Sequence, residues 1–156
     1  MVNFFRSVCV ILIPLFLIAA ASAHPEGKLK KRNVPQPVLA AFEKAYPHAT
    51  AKGYSKEMGN GKTEYEIESR EGSIARDISF DGDGNILSVE ETLAVSDLPD
   101  AVHSALMKDY PKGKIIKCEK VTENGATNFE ILVKAGKKKS EVVYTPDGSR
   151  VSKEAK

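Results

Sequence analysis

The sequence predicts an α+β fold of two tandem units, each a helix followed by a four-stranded antiparallel sheet, on three observations. The first is self-similarity. Shifted by 64 positions, Val34–Glu90 meets its own copy with 17 identities in 57 positions, where chance would give roughly 3 or 4. Among them are Pro35/Pro99, Val38/Val102, Tyr46-Pro47/Tyr110-Pro111, Glu66-Ile67/Glu130-Ile131 and Asp83-Gly84/Asp147-Gly148. The second is a change of hydrophobic period inside each copy, from 3.6 to 2. The third is a Gly-containing pair wherever a hairpin has to turn.

In chain order, residues 1–23 have the layout of a cleaved signal peptide. A short leader with Arg6 precedes the apolar run Val8–Ala21, and Ala21-Ser22-Ala23 is a small-x-small cleavage pattern. The run is shorter than the roughly 20 residues of a spanning helix and contains Pro14. A lipid anchor would need a cysteine at the cleavage point, whereas Cys9 lies within the apolar run. A soluble periplasmic or secreted protein starting at His24 is expected. Loss of Arg6 takes the formal charge from +2 to +1, and Cys118 remains as a single cysteine, so no internal disulfide is expected. Cys118 falls in a strand-like stretch opposite Tyr54 of the first copy and reads as a buried small hydrophobe. Residues 24–33 (HPEGKLKKRN) read as a flexible basic tail.

Residues 34–95 and 96–156 are the two repeats. Val38, Ala41, Phe42, Ala45 and Tyr46, and then Val102, Ala105, Leu106 and Tyr110, put one apolar stripe on one face of a helix of about three turns. Proline suits the first turn, and Pro47 or Pro111 ends the helix. Thr63, Tyr65 and Ile67 then alternate with Glu64, Glu66 and Glu68, and Thr127, Phe129, Ile131 and Val133 with Asn128 and Glu130, as half-buried strands do. Ile78 and Phe80 (Val142 and Tyr144) continue the inner face, and Leu87 and Val89 begin the last strand. A unit of about 60 residues is marginal alone, so the copies are expected to pack together or to share a sheet edge.

Helices ending in Tyr-Pro, followed by strands punctuated by Asn-Gly and Asp-Gly over about 120 residues, resemble the PepSY-like proteins related in fold to the β-lactamase inhibitor protein. The resemblance implies an exported α+β protein whose sheet surface away from the helices can serve as a binding face. Some members of that broad group inhibit or chaperone secreted enzymes. This chain has no Trp, and inhibition of a β-lactamase in particular is not expected.

No pattern in the chain predicts catalysis, a cofactor or a metal centre. Asp81-Gly82-Asp83-Gly84-Asn85 begins like a calcium loop, but Ile86 stands where that loop needs Gly and Thr92 where it needs Glu, so a hairpin turn is expected. His48 and His103 have no second ligand at metal spacing. The row Glu64, Glu66 and Glu68 reads as a solvated face. Lys137-Lys138-Lys139 lacks aromatic neighbours, and nucleic-acid binding is not expected.

The sharpest functional hint is an asymmetry. Val121, Leu132 and Val143 stand in the second copy where the first has Glu57, Glu68 and Ser79, so the second copy is apolar on both faces and its outer face needs a cover. The expected covers are the other copy, the N-terminal tail, a second subunit (a homodimer) or a protein partner. The candidate partner-binding residues are therefore Val121, Leu132 and Val143, with Glu64, Glu66 and Glu68 on the acidic face of the first copy. The leading expectation is a non-catalytic binding protein, an inhibitor or sensor of a secreted or periplasmic protein. The alternative is an envelope small-ligand or metal-ion binder that uses those acids.

Overall fold

The computed structural model describes residues 27–59 and 61–155. The signal-like segment 1–23, with Cys9, lies outside the described residues, as do His24 and Asn60. In chain order come β1 (Gly27–Lys28), a 3-10 turn (Lys31–Asn33), α1 (Gln36–Ala45) and the strands β2 (Thr50–Gly59), β3 (Lys62–Glu71), β4 (Ile74–Phe80) and β5 (Ile86–Thr92). A second 3-10 turn (Val95–Asp97) leads into α2 (Asp100–Asp109), β6 (Lys114–Glu123), β7 (Ala126–Ala135), β8 (Lys138–Tyr144) and β9 (Arg150–Ala155). All nine strands form one antiparallel sheet whose spatial order equals their chain order.

One expectation is resolved here and another changes. Of packing together and sharing a sheet edge, the copies do the second, with Val89 of β5 opposite Thr122 of β6 and Glu91 opposite Lys120, so that the strands of both copies form one sheet. Residues 27–33, read as part of a flexible tail, form β1 and a 3-10 turn. Lys31 also pairs with Glu43 of α1 at 3.5 Å, and Leu29 packs against the first core. A polar, basic composition hid a stretch whose order comes from pairing with β2 and from one leucine.

Both helices lie on the same face of the sheet, because the stripe residues that periodicity picks out meet strand residues of one parity. Val38 and Phe42 are buried with Ile67, Ile78 and Phe80. Val102, Leu106 and Tyr110 are buried with Phe129, Ile131, Val133, Val142 and Tyr144. The apolar core is thus two clusters, one under each helix, rather than a pooled one. Each fully buried aliphatic or aromatic side chain contributes about 1.5–3 kcal/mol. Cys118 is buried in the second cluster, where burial, seconded by Glu119, pushes its thiol up to about 11. His48 and His103 are exposed.

The two Asp-Gly turns are built alike and bear directly on the helices. Asp81 accepts hydrogen bonds from the backbone N–H groups of Asp83 (3.0 Å) and Asn85 (2.9 Å) and from the Asn85 side chain (2.8 Å). The carboxylate that suggested a calcium loop therefore closes its own turn. Gly84 and Gly148 have φ of 87° and 81°, and a Cβ on either would lie 2.6 Å from a first-turn helix carbonyl, that of Pro37 or Ala101. Only glycine combines that φ with so close an approach.

Candidate functional site: the outer sheet face

The strand residues that point away from the helices make a surface that no described element covers. Cross-strand register carries one row along Glu68, Asp77, Glu90, Val121 and Asn128 of β3 to β7. A second row runs along Thr92, Glu119, Glu130 and Val143 of β5 to β8. A third joins Lys117, Leu132 and Glu141. A bulge in β6 between Ile115 and Lys117 brings Lys117 onto this face, and β2 has the same irregularity between Ala51 and Gly53. Bulges redirect side chains in this way.

Centred on β6, β7 and β8, this face holds a hollow of about 170 Å³ lined by Lys117, Glu119, Glu130, Leu132 and Glu141. Lys117 Nζ lies 2.5 Å from Glu119, and Glu119 is buried. The remaining acids press on one another. Burial, followed by the like charges of Glu90, Glu141 and Glu119 and opposed by Lys117, raises the Glu130 carboxyl to about 7. Burial raises Glu90 as well, with Glu119 and Asp77 adding to it. Burial also raises Asp77, against Lys117 and with Glu119. Lys117 is held above its usual range: desolvation works against its charge, but the Glu119 hydrogen bond and the surrounding carboxylates outweigh it.

A carboxyl near neutrality suits general acid–base chemistry, yet the groups around Glu130 in the hollow are two more carboxylates, a leucine and a lysine already paired. Among the described residues no group of three His, Cys, Asp or Glu side chains is placed to hold a metal ion.

Of the residues singled out from sequence, Leu132 lines this hollow, Val143 stands beside it opposite Glu130, and Val121 lies one row away. Val143 is 6% exposed although it stands outside the helix-side cluster; Val121 and Leu132 are half-buried. Glu64 and Glu66 are half-buried on β3 and Glu68 is exposed, so they sit on the same face but toward the other end. A Cβ on Gly53 would lie 2.9 Å from the Glu68 carboxyl, so Glu68 is folded down onto β2. Burial raises Glu64, with Glu57 and Glu123 adding to it. Two of the expected covers are excluded among the described residues. The first copy lies beside the second rather than over it, and residues 27–28 pair with the far edge of the sheet, at β2.

Lys117, Glu119 and Glu90 were missed as site residues. Alternation could have found Glu90, but the β6 bulge breaks the period of two at Ile116 and hides Lys117.

Comparison with known proteins places this geometry. The family model described as "Putative beta-lactamase-inhibitor-like, PepSY-like" matches residues 24–88 and again 63–149. A solved BLIP-like protein from Bacteroides fragilis is similar at 25% identity, with 78% of this chain and 86% of that one covered and a TM-score of 0.63. A DUF2874 family protein from Bacteroides uniformis aligns at 21% identity over 78% and 88% of the two chains, with a TM-score of 0.66. A Bacteroides eggerthii structure described as "putative periplasmic" shares the fold at 19% identity, 78% and 88% coverage and a TM-score of 0.67. Among curated proteins nothing matches.

Proposed function

The chain belongs to the PepSY-like, beta-lactamase-inhibitor-like family, and from that premise we propose that it is an exported, non-catalytic protein that binds a protein partner through the outer sheet face of its second half. One observation carries this reading. The half-buried Val121 and Leu132, with the buried Val143 of β8, lie with the hollow of Lys117, Glu119, Glu130 and Glu141 on a face that neither helix nor the first copy covers. An apolar patch with a polar rim is the usual anatomy of a protein-binding surface. The layout of residues 1–23 and the description of the Bacteroides eggerthii neighbour support the periplasm or the cell exterior as its place of work. No helix among the described residues is long and apolar enough to cross a membrane.

The test is retention of a stoichiometric protein from an envelope extract by the immobilised chain. Leu132→Asp is expected to lose it, while Glu43→Gln on α1 keeps it. Retention unaffected by Leu132→Asp would refute the face. Tight, stoichiometric heat on titrating divalent ions would instead favour the acids Glu64, Glu66 and Glu68 as the working residues.

A further inference from the structure

The 64-residue register extends upstream of the repeat that sequence identity marks out, and it shows what β1 is. Gly27 and Lys28 pair with Lys56 and Ser55; 64 residues later, Glu91 and Thr92 of β5 pair with Lys120 and Glu119 of β6. The Leu29 N–H donates to the Tyr54 carbonyl at 2.7 Å, as the Leu93 N–H donates to Cys118 at 2.9 Å. The 3-10 turns at Lys31–Asn33 and Val95–Asp97 correspond in the same way. So β1 occupies on β2 the place that β5 occupies on β6, but with two paired residues where β5 has five.

The strand equivalent to β5 in the second half is β9, which pairs with β8 alone and ends the sheet on the other side. We propose that the outer edge of β2 is a docking site for β9 of a second copy of this chain, obstructed at its inner end by β1, which holds Lys56, so that displacing β1 lets copies join head to tail in the full register of β5 on β6. Carrying that register across sets Ser152 opposite Gly59, Lys153 opposite Met58, Glu154 opposite Glu57 and Ala155 opposite Lys56. Continuity with the β5–β6 seam already inside the molecule is one argument for this occupant.

Exposure is the other. Among the described residues the two most exposed large hydrophobic residues are Met58 of β2 and Val151 of β9, at 60% and 52%. Their counterparts at the internal seam, Thr122 and Leu87, are half-buried. Unpaired strand edges invite strand addition, and a short guarding strand is a common way to block it. Because the two edges differ, the contact is heterologous and would not close on itself.

Sedimentation velocity over a concentration series tests this on the full chain. Leu29→Pro removes the hydrogen bond to Tyr54 and should raise the average mass to about twice the monomer or more as concentration rises. A Lys28→Cys/Ser55→Cys disulfide that pins β1 should hold the chain monomeric. In the Leu29→Pro background, Met58→Cys with Lys153→Cys should give an intermolecular disulfide ladder, and Met58→Cys with Lys139→Cys should not. Should Leu29→Pro fail to fold, Gly27→Pro serves in its place: Gly27 is the next residue along β1 whose N–H faces β2, and Leu29 stays on the core. A folded, β1-released variant that stays monomeric, or cross-links formed equally well at Lys139, would overturn the proposal.

Discussion

The two halves share a backbone plan but differ in what each side of the sheet carries. In the first half an ionic cluster sits on the helix side. Arg76, itself buried, donates to Glu91 at 2.6 Å and to Glu71 at 3.0 Å and lies 5.1 Å over the Tyr46 ring, and Lys120 reaches Glu91 at 3.4 Å. In the second half the positions of Arg76, Glu71 and Glu91 are Ser140, Ala135 and Ala155. The tyrosine there, Tyr110, is met by Arg150 of β9 at 6.0 Å, and Arg150 with Tyr144 is anchored on Asp109 at 3.1 and 2.9 Å. Each helix end is thus capped by an arginine over a tyrosine, supplied from different strands. What differs is the outer face: polar in the first half, and in the second a patch of valine and leucine with carboxylates pressed around it. A duplicated unit can keep its core positions and still change the chemistry of one surface.

The largest expected effect tests whether the halves are one cooperative body. Ile67→Ala and Ile131→Ala empty equivalent, fully buried positions, and each should cost about 2–5 kcal/mol. Because β5 pairs with β6 along five residues, chemical denaturation should remain a single transition in both variants. Two separated transitions would mean that the seam does not couple the clusters.

Arg76→Ser copies the second half and should cost about 2–4 kcal/mol, since it strands Glu71 and Glu91. Adding Glu71→Ala and Glu91→Ala should recover much of that loss. The Glu91 carboxyl carries the pH signature. Burial alone would raise it, but the Arg76 hydrogen bond and the charges of Lys120 and Arg76 hold it below its ordinary value. Its stabilising contribution is therefore present above the ordinary carboxylate range and is lost as pH falls through the depressed value. Arg76→Ser should flatten that acid limb.

Glu130 has the opposite sign, which sharpens the contrast between the faces. Its carboxyl is raised from 4.5 to about 7, so between those values the folded chain holds a proton that the unfolded chain releases, and stability falls as pH rises through that window. Glu130→Gln should remove this fall and gain on the order of 1–2 kcal/mol above pH 7, discounted for the part of the carboxyl open to water. Unchanged curves would show that the outer acids do not strain one another.

Much of this could be read in the sequence, and the reasons for the remainder are physical. Helix stripes, alternating strands and Asp-Gly turns are local patterns, and Val38, Phe42, Ile67 and Ile131 fall where those patterns put them. Strand β1 is not local: its order depends on Lys56 and Ser55, nearly 30 positions away, and the Glu26/Glu90 and Leu29/Leu93 identities were its clues. Glu119, Glu130 and Glu141 are ordinary surface letters until three strands set them side by side. The arginines over Tyr46 and Tyr110 come from non-equivalent positions, so the internal repeat could not pair them.

The central claim is that the outer face of the second half is kept apolar for a partner rather than for the fold. Its most direct test measures Leu132→Ser in the full chain for unfolding free energy and for retention of the envelope partner together. The expected result is stability within about 1 kcal/mol of the parent, since Leu132 is only half-buried in the free protein, with retention abolished. A loss of about 3 kcal/mol, or retention that survives the substitution, would contradict the claim.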